Sequence, residues 1–168
     1  CPILFDDYQQ ALNATRLISQ SALFPANCRL LDANEALFNG AGDGSKHLLI
    51  LSFESADHEM DLWLKRGLEI ASDSGGVYEL PQEKKENAHK SGASGTWRNS
   101  FIRAPYYREA SVRRGIIQDT FETSITWDKG FEFIESLKQK AAQAIKSISG
   151  KESTVTCRLT HTYPDGLA

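Results

Sequence analysis

The 168-residue chain holds 40% hydrophobic and 24% charged residues, the balance of an ordinary globular domain, so disordered, collagen-like and coiled-coil classes are excluded. Its length supports one domain with a real core and falls short of two. Nineteen Lys plus Arg against 22 Asp plus Glu give a net charge of −3 and a pI near 5.8, which argues against nucleic acid as a partner.

The longest apolar run, Leu48 to Leu51, is too short to span a bilayer, and no secretory apolar region opens the chain. The first residue is Cys1, so either processing or excision from a longer protein is expected. A lipid anchor on Cys1 is the minor reading, because Pro2-Ile3-Leu4-Phe5 leads straight into a helical pattern with no polar tether. Cys1, Cys28 and Cys157 are odd in number and lack metal spacing; they read as reduced thiols.

Phe5, Tyr8, Leu12, Thr15 and Ile18 recur at helical spacing, and Pro25 closes that element. Cys28–Leu31 reads as a short strand and Asn34–Phe38 as a helical turn, followed by a glycine-rich loop over 39–45. Leu48–Phe53 has the length and apolarity of a central strand. Met60, Trp63, Leu64, Gly67, Leu68 and Ala71 then form one stripe of an amphipathic helix that Gly75-Gly76 stops. Val77–Leu80 reads as another short strand.

Residues 81–96 are polar and rich in Lys, Glu, Ser and Gly, as expected of a mobile connection within the domain. Aromatic and basic residues alternate from Trp97 to Arg114. Gln118–Ile125 reads as a strand, and Asp128 as the cap of the best helix, whose apolar positions run from Phe131 to Ile148 and which Gly150 ends. Thr154–Tyr163 alternates, with Val155, Cys157, Leu159, His161 and Tyr163 on one side and Arg158 on the other. The fold class expected is α+β: a mainly antiparallel, ferredoxin-like sheet with long amphipathic helices on one face.

Gly40-Ala-Gly-Asp-Gly-Ser-Lys46 lacks phosphate-loop spacing, and Gly92-Ala-Ser94-Gly95 is not a nucleophile elbow. His47, His58, His89 and His161 are scattered, and no metal site is expected. Two places carry unexplained charge. Arg29 interrupts an apolar strand, and Arg108 stands beside Tyr106 and Tyr107 in the cluster with Arg103, Arg113 and Arg114. A solvated helix face accounts for Arg113 and Arg114, whereas Arg108 could serve as a fork for a carboxylate or phosphate.

Phe121-Glu122-Thr123-Ser124, Trp127-Asp128 and Thr156-Cys157-Arg158-Leu159-Thr160-His161-Thr162-Tyr163 resemble the alkyldihydroxyacetonephosphate synthase group of FAD-linked oxidases. Arg29-Leu30-Leu31-Asp32 and Tyr107-Arg108-Glu109 fall in matching order. The resemblance spans almost the whole chain. It implies the substrate (cap) domain of a flavoenzyme of the vanillyl-alcohol-oxidase-like superfamily, in which the cap covers the FAD ring and a separate domain of the same parent holds most of the FAD. It further implies a small anionic substrate, with Arg108 at its charged group and Arg29 supporting the pocket.

The family's acid/base tyrosine would lie just beyond Ala168, so Tyr163 is not that residue, and this polypeptide alone is expected to be inactive. A cytoplasmic location follows, or one peripheral to a membrane if the parent uses lipid substrates; whether the parent is a homodimer stays open. The alternative is a stand-alone module that binds a small anion, anchored through Cys1.

Overall fold

The computed structural model describes residues 1–80 and 92–168, and the part of the expected mobile connection over 81–91 lies outside the described residues. The chain order is β1 (Pro2–Phe5), α1 (Tyr8–Gln20), β2 (Asn27–Leu31), α2 (Ala33–Phe38), β3 (His47–Ser52), α3 (Asp61–Asp73) and β4 (Val77–Tyr78). It continues with α4 (Gly92–Val112), β5 (Ile125–Thr126), α5 (Gly130–Ser149), β6 (Arg158–Leu159) and β7 (Gly166–Leu167). Residues 92–96 thus belong to the first turns of α4.

Five strands form one sheet in the order β4-β1-β3-β2-β6, with every neighbouring pair antiparallel. Two β-α-β units, β1-α1-β2 and β3-α3-β4, interlock so that β1 and β3 lie side by side, the split βαβ arrangement. Strand β3 sits at the centre, and four of its six residues, Leu48 to Leu51, are buried. A strand covered on both faces requires apolar residues at consecutive positions, which explains why this segment reads as a continuous apolar run and not as an alternation.

The pleat sorts side chains into two cores. Ile3, Phe5, Cys28, Leu30, Leu49, Leu51 and Leu159 point to the face covered by α1 and α3, where they meet Leu12, Ile18, Leu68 and Ala71. Leu31, Leu48 and Ile50 point the other way, into a smaller cluster closed by Ala36 of α2 and Ala41. The long helices therefore share one face, as expected, while the short α2 covers part of the second.

Several expected elements differ. Pro2–Phe5 is a strand, so Phe5 is not part of the first helical stripe: α1 starts after Asp7, whose side chain accepts the Gln10 amide at 2.8 Å. Gln118–Ile125 narrows to β5, because only Ile125 and Thr126 find a partner, in β7. Thr154–Tyr163 narrows to the two residues of β6 beside β2, after which the chain folds back in a hairpin closed by Ala168 N–H to the His161 carbonyl at 2.9 Å. Asp128 lies in a short 3-10 turn (Trp127–Lys129) before α5 and makes no side-chain cap to it. The stops at Gly75 (φ 92°) and Gly150 (φ 70°) are left-handed, as glycine permits.

Candidate functional site

The sheet's second face carries the charge. Strand β2 places Arg29 two residues before Leu31, and Leu31 pairs with Arg158 of β6. Both arginines therefore project from the side away from α1 and α3, diagonal to each other across the β2–β6 ladder and within reach of long side chains. Burial first, and then the positive charge of Arg158, lower the Arg29 pKa from its ordinary value. The guanidinium stays charged in the neutral range, so the shift measures the cost of holding two like charges together in a partly dry place.

A polar network holds this corner. Arg158 Nη1 donates to Glu35 Oε1 at 3.2 Å, and Thr156 Oγ1 donates to Glu35 Oε2 at 2.5 Å. Asn39 Nδ2 adds a third donor to Glu35 Oε1 at 3.1 Å. Behind it, Asp32 caps α2 by accepting the Glu35 amide at 2.8 Å on Oδ1, while Oδ2 accepts the Cys157 amide at 2.8 Å and the Lys138 ammonium at 2.7 Å. The Asp32 backbone N–H donates to the Cys157 carbonyl at 2.9 Å. One carboxylate thus ties β2, α2, α5 and the strand leading into β6 together.

Tyr8 lies against both sides of this hub: its hydroxyl donates to Cys157 Sγ at 3.6 Å and its ring centroid is 5.1 Å from that of His47. His47 Nδ1 accepts the Ala33 amide at 3.1 Å, which requires that nitrogen to be unprotonated. Burial lowers the His47 pKa, partly offset by Asp32. Burial raises the thiol pKa of Cys157 and pushes that of Cys28 up to about 12, so both behave as neutral, unreactive thiols at neutral pH.

Arg108 lies elsewhere, on α4. Its guanidinium is 3.6 Å from Asp119 Oδ2 and 59% of its side chain is exposed. Arg103, Arg113 and Arg114 are also exposed, with Arg113 paired to Glu109 at 2.6 Å one helical turn away, a solvated face as expected. Arg29 is instead brought to Arg158, which the sequence marks only by its alternation. Glu35, Asp32 and Lys138 were missed altogether; the available signal was Asp32-Ala33-Asn34-Glu35, the spacing of a helix cap.

A surface cleft of about 440 Å³ is lined by Phe53, Glu54, Ser55, His58, Met60, Asp61 and Leu64. Ser55 Oγ approaches His58 Nδ1 at 2.9 Å, but Asp57 Oδ1 contacts the same nitrogen at 2.5 Å. A catalytic triad needs its acid and its nucleophile on opposite ring nitrogens, so this is an exposed turn and not a relay.

The described residues do not fit an FAD pyrophosphate. Two carboxylates, Glu54 and Asp61, line that cleft. In the glycine-rich loop, Gly40 and Ala41 N–H donate to Leu37 and Ala36 carbonyls at 2.9 and 2.8 Å, and Ser45 N–H to Asp43 at 2.9 Å, so these amides turn inward to their own chain.

Comparison with solved structures finds alkyldihydroxyacetonephosphate synthase in two crystal forms. An orthorhombic form matches with a TM-score of 0.78 and 19% identity over 99% of this chain and 33% of the synthase chain. A triclinic form matches with a TM-score of 0.72 and 19% identity over 99% of this chain and 34% of the other. The fold is therefore shared, and the chain spans about a third of the length of these proteins. The family model for the C-terminal domain of FAD linked oxidases matches residues 2–168. The chain belongs to the FAD-linked oxidase C-terminal domain family.

Proposed function

We propose that this chain is the substrate (cap) domain of an FAD-dependent oxidoreductase or alkyldihydroxyacetonephosphate-synthase-like enzyme that acts on a small substrate bearing a phosphate or carboxylate. The observation that carries the reading is Arg29, a cation held partly dry on the sheet face opposite α1 and α3, in a chain of this family. FAD is held mainly by another domain of the same parent, consistent with the poor fit of the described residues to a dinucleotide. Arg108, more than half exposed on α4, supplies a second cation able to fork onto an oxyanion.

The test uses the full-length parent. Its purified form is expected to show a flavin absorption band, and Arg29→Ala and Arg108→Ala should each raise KM for an anionic substrate about tenfold or more, the size of a lost charge-assisted hydrogen bond. A parent without bound flavin, or variants with unchanged KM, would reject the reading.

A further inference from the structure

We infer that Arg158 is an anion-binding residue that works with Arg29, and that Glu35 is the residue that positions it. The inference rests on the reading of an anionic substrate above and adds a site that Arg108 does not share. Its basis is the convergence of two guanidiniums, from adjacent antiparallel strands, on one face of the sheet.

The cost of that convergence is visible on the page. Arg158 sits two residues along its strand from the position facing Arg29, and its charge depresses the Arg29 pKa. Two like charges in a partly buried setting repel, and a phosphate or carboxylate between them converts that repulsion into two charge-assisted contacts. A planar guanidinium with five N–H donors suits an oxyanion better than a lysine would.

Glu35 could instead be taken as the whole reason for Arg158. It is already shared, however: Thr156 and Asn39 donate to it as well, and it contacts Arg158 through Nη1 at 3.2 Å. Its negative charge is spread over three donors and balances one arginine, which leaves the Arg29–Arg158–Glu35 group with net positive charge. The hydrogen bond also removes rotamer freedom from Arg158 before any ligand arrives, which lowers the entropic cost of binding. Immediately behind, the Asp32–Lys138 pair neutralises itself at 2.7 Å and adds nothing to the field.

The experiment is calorimetric titration of inorganic phosphate into the full-length protein with its FAD bound, at low ionic strength, for wild type and for Arg29→Gln, Arg108→Gln, Arg158→Gln and Arg158→Lys. Thermal melts accompany each variant. Arg158→Gln is expected to weaken phosphate binding about tenfold or more, matching Arg29→Gln, and Arg158→Lys to weaken it about threefold, because the charge remains while the fork is lost.

If Arg29→Gln weakens binding and both Arg158 variants bind as wild type does, Arg158 is a structural partner of Glu35 only, and the anionic-substrate reading survives. If none of the arginine variants alters binding, that reading fails together with this one. Should Arg158→Gln not fold, the lysine variant decides: a threefold loss supports the pair and unchanged affinity rejects it.

Discussion

The ammonium of Lys138 on α5 lies 2.7 Å from Oδ2 of Asp32, a residue only 2% exposed at the end of β2. Asp32 accepts the Glu35 and Cys157 amides as well, so a single carboxylate joins a helix start, a sheet edge and the longest amphipathic helix. Replacement of Asp32 by Ala should cost about 3–5 kcal/mol, because it leaves a largely buried ammonium and two amides without their acceptor. Lys138→Met should cost less, since Asp32 keeps both amides. Urea unfolding of the two variants, with unchanged m-values, checks the order.

Gly76 and Gly150 predict opposite physical penalties. A Cβ at Gly76 would lie 2.7 Å from Phe5 Cζ, 2.8 Å from the Ala71 carbonyl oxygen and 2.8 Å from Ile3 Cγ2, and the backbone oxygen cannot step aside. At Gly150 nothing lies within 4 Å, and only the left-handed φ of 70° resists a side chain. Gly150→Ala is expected to cost about 1–2 kcal/mol. Gly76→Ala should cost at least about 1–3 kcal/mol through overpacking. Gly150→Asn, which tolerates that conformation, should recover much of the first loss and offers a direct control.

Stability should fall at high pH through Cys28. Its thiol pKa is pushed up to about 12 in the fold, against an ordinary value of 9.0. Above the unfolded pKa the denatured chain releases this proton while the native one keeps it, so the unfolded state binds fewer protons and stability declines with pH. Its contribution is complete below about pH 9 and is lost as pH rises toward 12. Denaturation midpoints across that range, compared with those of Cys28→Val, should show a shallower decline in the variant.

At the acid end His47 acts in the reverse sense. Burial lowers its pKa from 6.5, so the folded state favours the neutral ring that accepts the Ala33 amide. The stabilisation is present above the unfolded pKa and is lost as pH falls below 6.5 through the folded value. An NMR titration should place His47 below an ordinary histidine, with the Ala33 amide shift following the same curve. A His47 midpoint at or above 6.5 would contradict this.

Apolar side chains crowd the outer surface of α4 and the segment after it, with Ile102, Tyr106, Tyr107, Val112, Ile116, Ile117 and Phe121 all at least half exposed and Ile117 at 86%. Exposed apolar surface of this kind promotes association. The isolated chain is therefore expected to self-associate. Ile117→Lys should reduce the association seen by analytical ultracentrifugation while changing stability by no more than about 0.5 kcal/mol.

Local pattern alone determined much of the architecture. The apolar run at Leu48–Leu51 marks the central strand, the stripe from Trp63 to Ala71 marks α3, and the steps from Phe131 to Ile148 mark α5, because burial on one or two faces imprints a period on the chain. The motifs around Arg29, Arg108 and Arg158 likewise pointed to the family before any coordinate was known.

What tertiary structure decided was pairing. Pro2–Phe5 is a strand because β3 and β4 flank it, not because four residues can choose that state themselves. Gln118–Ser124 has strand composition and remains outside the sheets for want of a neighbour. The site followed the same rule. Arg29 and Arg158 are 129 positions apart, and only the β2–β6 register brings them to one face. Sequence periodicity reports which side of an element is buried; which charges then meet is set by long-range register, which no local pattern encodes.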